Sequence, residues 1–205
     1  MNNTVFRLRQ MLLGWGCVGL IYNSTDRWQA PGTVLQPGAI DRLIPFDPAG
    51  VWLYLSFFLL IPFAYLACPT ERLRWLRTAF QLSALAAGAV FMAWPTTLSY
   101  PPNDGNSLSS SLLAALTSID SAQNCFPSLH MALTVLAIWA LHDARQPAKN
   151  VLFWLWGLAI AFSIIQLRRH LFIDLVSGTG LGLAVGWLCQ RFVNPPSRLE
   201  EGAAT

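Results

Sequence analysis

Six stretches of this chain are apolar over most of the length that a bilayer demands. They run over 6–22, 49–68, 76–95, 127–142, 150–167 and 171–193. About 20 apolar residues in a helix cross the hydrocarbon layer. The chain therefore reads as an all-α integral membrane protein, a six-transmembrane-helix bundle. Charge supports this: only 11% of the 205 residues are charged, against about 25% in a soluble domain. The net charge of +3 comes without a dense basic run, so the chain offers nucleic acid no face.

The stretches differ in strength. The first has a short core and needs Arg7 and Arg9 to snorkel. The polar Asn23-Ser24-Thr25-Asp26 after it lacks a small-x-small cleavage pattern, which argues for a retained helix over a signal peptide. The fourth opens at Pro127, a residue suited to a first helical turn. Only Arg168 and Arg169 separate the fifth from the sixth, so those two form a tight hairpin. Trp75 and Trp94 bracket the third as interfacial anchors. Gly178 and Gly182 form a small-xxx-small face that admits a neighbouring helix. The 4 cysteines, Cys17, Cys68, Cys125 and Cys189, form no Cys-x-x-Cys and read as free thiols. Residues 1–193 make one domain without internal repeats. The polar tail, 194–205, carries two prolines and is expected to be disordered.

Six crossings put both termini on one side. That side carries Arg7, Arg9, Arg72, Arg74, Arg77, Arg145, Lys149, Arg191 and Arg198; the other has Arg27, Arg42, Arg168 and Arg169. The positive-inside rule then places both termini in the cytoplasm and the loops 23–48, 96–126 and 168–170 outside. His130 and His170 fall at that outer face.

Ionisable side chains at the mouth of a bilayer segment are costly and point to function. His170 and Asp174, four residues apart, share one helix face, where the carboxylate can hold the imidazole. His130 opens another apolar stretch. Two histidines and a carboxylate can supply a nucleophile, its orienter and a proton donor.

These residues also sit in recognisable motifs. Asn124-Cys125-Phe126-Pro127-Ser128-Leu129-His130 resembles the second motif, Pro-Ser-x-His, of the type 2 phosphatidic acid phosphatase superfamily. The stretch from Ser163 to Asp174, with its serine, histidine and aspartate spacing, resembles the third. Phe-Pro-Ser-Leu-His, and the element Ile40 to Pro48, are more like the branch containing inositol phosphorylceramide synthases and their bacterial relatives. The resemblance spans about Asp41 to Gly182. It implies a metal-independent phosphatase or phosphotransferase of the bacterial inner membrane, without a cofactor, whose partners are the bilayer and a phosphorylated lipid. It makes His170 the phosphorus-attacking nucleophile, Asp174 its orienter and His130 the proton donor. Ser128, Ser163, Arg168 and Arg169 become candidate phosphate contacts, with Arg168 foremost. The chain departs from the family at the first motif. Ala93 and Tyr100 stand where lysine and arginine are usual, and Ile164 replaces the arginine after Ser163.

Each candidate has a plainer alternative. His130 could be a polar helix-start residue, Ser163 a packing serine, and Arg168 and Arg169 headgroup anchors. Asp41 and Asp47 read as loop residues or caps, and Asp120 and Asn124 as residues that shape the approach to the fourth helix. For the whole chain, the rivals are a non-catalytic lipid-binding protein of the same fold and a transporter. The transporter ranks last, because there are no repeated halves. The sequence carries no signal for an oligomeric state.

Overall fold

The computed structural model describes residues 3–192. The tail expected to be disordered lies outside them. The chain begins with α1 (Asn3–Trp28), followed by a short strand, β1 (Thr33–Leu35), and a one-turn helix, α2 (Ala39–Leu43). A 3₁₀ turn leads into α3 (Val51–Leu55) and α4 (Phe57–Ala67). Then come α5 (Leu73–Ala93), β2 (Thr96–Leu98), α6 (Leu108–Ile119), α7 (Leu129–Leu141), α8 (Pro147–Gln166) and α9 (Phe172–Phe192).

Four helical segments are long and apolar enough to cross a membrane: 48–67, 70–93, 147–166 and 172–192. They match four of the six expected stretches. α1 is long but keeps Arg7, Arg9, Gln10, Asn23 and Asp26 along its length. α7 is apolar all round but has only 13 residues, about 20 Å of helix against a core of about 30 Å. Its sides are almost wholly buried, as an all-apolar helix requires. α7 packs on α4, α5, α8 and α9, and α1 lies along α5.

Small residues set the closest of these contacts. Cβ atoms at Gly178 and Gly182 would run into the backbone carbonyl oxygens of Ser128 and Ala132 on the α7 side. The small-xxx-small face thus lets α9 lie against the start of α7. At the far end of the bundle, arginines close the helix C-termini. Arg7 donates to the Tyr65 and Cys68 carbonyls at 3.1 and 2.8 Å, and Arg72 to those of Ala140 and His142 at 3.1 and 2.6 Å.

Several local expectations change. Trp75 is not an interfacial anchor: it is 3% exposed and donates its indole N–H to the Gly186 carbonyl at 2.9 Å. The segment 49–68 breaks at Ser56, whose hydroxyl bonds back to the Leu53 carbonyl at 2.6 Å and competes with the helix ladder. α7 starts at Leu129 with Ser128 as its cap, so Pro127 precedes the helix. The stretches expected to be loops hold structure of their own. β1 and β2 pair in parallel, Thr33 with Thr96, and Ser107 caps α6 by accepting from the Ser110 N–H at 3.1 Å.

Candidate active site

The starts of α7 and α9 and the end of α6 meet at one end of the bundle. Ser128 caps α7 through its hydroxyl, which accepts from the Met131 N–H at 3.3 Å. Its own N–H donates to the Asp174 carbonyl at 3.0 Å. These contacts tie the two motifs together through backbone and leave Ser128 fully buried. His130 and His170 consequently face each other, with His130 Nδ1 3.4 Å from His170 Nε2.

The other nitrogen of His170 is held by backbone. Nδ1 lies 2.8 Å from the Cys125 carbonyl oxygen. A carbonyl only accepts, so Nδ1 carries a hydrogen, and in the neutral ring Nε2 presents a lone pair towards His130. Asp174 Oδ2 is 3.7 Å from Nδ1, within ion-pair reach, and accepts the Leu171 N–H at 2.8 Å. Asp174 Oδ1 is buried without a hydrogen-bond partner. The expected carboxylate–imidazole neighbours are brought together, though not on one helix face, since His170 lies in the turn before α9, and the hydrogen bond that fixes the tautomer comes from Cys125. Burial, with the nearby Asp174 charge, pushes the Cys125 thiol up to about 12, so that thiol stays neutral.

The two arginines part company. Arg168 has φ +55°, the left-handed region, a conformation that costs about 1–3 kcal/mol unless the surroundings hold it. What holds it is its own guanidinium, which donates to the Asp41 and Ile44 carbonyls, both at 2.7 Å. Asp41, 2% exposed, also accepts the Phe172 N–H at 2.7 Å and so caps the start of α9. Asp47 acts as a cap too, accepting from Ala49. Arg168, foremost in the sequence as a phosphate contact, is therefore engaged with the 41–44 backbone. The left-handed turn points Arg169 inward instead. Arg169 is 6% exposed, donates to Asp120 Oδ2 and the Ser121 carbonyl, both at 2.8 Å, and lies 5.0 Å from the centre of the Tyr100 ring. Ser163 donates to the Ile160 carbonyl within α8 at 2.7 Å, the bond of a packing serine.

Sequence reasoning gave Asp120 a minor part, and Tyr22 and Tyr54 none. Yet Asp120 joins the groups around the histidines. Tyr22 donates to its Oδ1 at 2.8 Å, and the Tyr54 hydroxyl lies 3.2 Å from Oδ2 and 2.9 Å from His130 Nε2. Burial works against the ionised carboxyl. The charges of His130 and Arg169 and the Tyr22 bond outweigh it and hold Asp120 below the ordinary carboxylate range. Burial likewise disfavours the Arg169 cation, but Asp120 raises its pKa overall. Asn124, with φ +57°, accepts from Gln29 at 3.0 Å and donates to the Tyr22 carbonyl at 3.0 Å, fixing the loop ahead of α7 to α1.

A cavity of about 220 Å³ reaches this cluster. Its walls are apolar residues of α1, α4, α6 and α7, among them Trp15, Phe58 and Leu133, and it ends at Asp120 and His130. A second cavity, of about 260 Å³, approaches Arg169 and Asp120 from the loop side past Tyr100 and Asn103. Among the described residues, no three or more His, Cys, Asp or Glu side chains are grouped to hold a metal ion.

Searches of curated proteins and of solved structures return no match. A family model described as the PAP2 superfamily matches residues 46–188, a stretch that holds both facing histidines, Asp120, Arg169 and Asp174. The chain belongs to that superfamily, whose members are generally phosphatases and phosphotransferases that act on phosphate esters.

Proposed function

We propose that this protein is a metal-independent membrane lipid phosphatase or phosphotransferase that works through a phosphohistidine. The observation that carries this reading is the pair of facing nitrogens, His170 Nε2 and His130 Nδ1, 3.4 Å apart. His170 Nε2 attacks phosphorus through its lone pair as the bond to the lipid oxygen breaks. The proton on His130 Nδ1 passes to that leaving oxygen. A water or alcohol oxygen then attacks phosphorus, the P–N bond breaks, and the incoming proton returns to His130. Phosphoryl transfer depends chiefly on positioning and charge stabilisation, and Arg169 is the guanidinium beside the histidines.

The substrate is a phosphorylated lipid. The apolar cavity that ends at His130 suits its chain, and the loop-side cavity at Arg169 suits a polar acceptor. Water as acceptor makes the protein a phosphatase; a polyol or lipid hydroxyl makes it a transferase of the inositol phosphorylceramide synthase-like branch. In the proposed membrane topology, α1 and α7 join the four long segments to make six crossings of a bacterial plasma membrane. Both termini are cytoplasmic, and the histidines lie at the outer face. The test is to incubate purified protein with a panel of phosphorylated lipids, with and without polyol acceptors, and to follow free phosphate and headgroup-exchanged lipid. Product from at least one lipid, lost in His170→Ala, is expected.

A second reading, a non-catalytic lipid-binding member of the fold, draws on one observation. With Ala93, Tyr100 and Ile164 in place of cations and Arg168 held by carbonyls, Arg169 is itself paired with Asp120. Saturable lipid binding without any product would favour it.

A further inference from the structure

The acid–base histidine has a backing that the motifs do not contain. Behind His130, Nε2 meets the Tyr54 hydroxyl at 2.9 Å, and that hydroxyl meets Asp120 Oδ2 at 3.2 Å. The ring is wedged by Phe57, edge-on at 4.9 Å between centroids. The carboxylate cannot easily turn away, because Tyr22 holds Oδ1 and Arg169 holds Oδ2.

Counting hydrogens decides what this row can do. An ionised Asp120 only accepts, and Tyr54 has one O–H to give. When that hydrogen goes to Asp120, the Tyr54 oxygen is left as an acceptor, so His130 Nε2 must carry a hydrogen. The only nitrogen of His130 whose proton can then come and go is Nδ1, the one that faces His170. In the neutral ring, His170 Nε2 is a lone pair, because its Nδ1–H is held by Cys125. When His130 takes up a second proton, that proton sits on Nδ1 and lies between the two facing nitrogens.

We propose that Tyr54 and Asp120 are positioning residues for His130, forming a relay that keeps a hydrogen on Nε2 and reserves Nδ1 for the proton delivered to the leaving oxygen. This rests on the phosphoryl-transfer reading above. As the P–O bond breaks, the Nδ1 proton goes to the lipid oxygen. As the P–N bond later breaks, the attacking hydroxyl returns a proton to Nδ1. The relay hydrogens stay where they are, and Asp120 stabilises the imidazolium through the Tyr54 hydroxyl, as a carboxylate does directly in a triad. The groups facing His130 are Tyr54 from α3, Phe57 from α4, Asp120 from the end of α6, and Arg169 and His170 from the turn before α9. Tyr22 of α1 bonds to Asp120 on its far side.

Tyr54→Phe tests this, because it removes the hydroxyl and keeps the ring. Two esters are compared: a lipid alkyl phosphate, whose alkoxide must be protonated to leave, and p-nitrophenyl phosphate, whose phenolate need not be. General acids supply about 10²–10⁴-fold, so the kcat loss on the alkyl ester should exceed that on the aryl ester by about tenfold or more, with KM little altered. Asp120→Asn should give the same split. Equal losses on both esters, or none on either, would show that Tyr54 only packs and would overturn the relay. Nitrogen NMR of the imidazoles reads the tautomer without turnover. The protein has 3 histidines, and His130→Gln identifies the His130 signal. A hydrogen on His130 Nε2 is expected in the parent protein, with its preference lost in Tyr54→Phe; a bare Nε2 in the parent overturns the relay. An Nε2–H in a protein that turns over neither ester leaves the relay standing and overturns the phosphoryl-transfer reading.

Discussion

His170 Nδ1 lies 2.8 Å from the Cys125 carbonyl oxygen but 3.7 Å from Asp174 Oδ2. The backbone ahead of the Pro-Ser-x-His motif thus aims the proposed nucleophile, and the carboxylate stands at a longer distance. His170→Ala should abolish turnover. Asp174→Asn should cost less than the about 10⁴-fold seen where a carboxylate alone sets the tautomer, on the order of 10–100-fold. Acid-quench trapping of a phosphoenzyme and steady-state kcat measure both. A fully inactive but folded Asp174→Asn protein would return the tautomer to Asp174.

The two adjacent arginines should separate by phenotype. Arg168→Ala removes two bonds to backbone carbonyls and the brace on a left-handed residue, so stability in detergent should fall by about 1–3 kcal/mol. Arg169→Lys keeps a charge but loses the guanidinium geometry, so kcat/KM should fall by about tenfold or more with a smaller change in stability. Thermal unfolding and kinetics on the same preparations compare them. The reverse pattern would restore Arg168 as the phosphate contact.

The α7–α9 contact gives a prediction with an internal control. A Cβ at Gly182 would lie 2.7 Å from the Ala132 carbonyl oxygen, whereas one at Gly180 has nothing within 4 Å. Gly182→Ala should destabilise by about 1–3 kcal/mol, because the helices must move apart. It should also lower kcat, since α7 carries His130 and the turn into α9 carries His170. Gly180→Ala should be neutral or stabilising by up to about 1 kcal/mol. Melting temperature and kcat of the pair are the readout.

Asp120 gives a pH dependence. Its pKa in the folded protein is held below the ordinary 3.8, so the unfolded chain takes up its proton first as pH falls. The stability it contributes is present above the ordinary value and is lost as pH falls through the depressed folded one. Melting temperature scanned from about pH 6 to about pH 3 should hold and then drop at the acid end. Asp120→Asn should flatten that drop.

The proposed orientation is tested at Asn106, an exposed residue ahead of α6. A single cysteine there, in a variant lacking the other four, should react with an impermeant thiol reagent in intact cells. Labelling only after the cells are opened would reverse the topology.

The sequence by itself determined what depends on spacing along one helix. Apolar runs of bilayer length gave the four long segments. Gly178 and Gly182, four residues apart within α9, marked the face that meets α7. Such relations follow from 3.6 residues per turn and need no knowledge of the rest of the chain. Tertiary structure alone decided which arginine turns inward, because a single left-handed residue at Arg168 reverses what spacing suggests. It alone brought Tyr22 and Tyr54 onto Asp120 across 98 and 66 positions of chain. Neither tyrosine carries a local signal, since each reads as one more aromatic in an apolar helix. Their hydroxyls acquire a role only where the ends of several helices converge on a buried carboxylate that has to be satisfied.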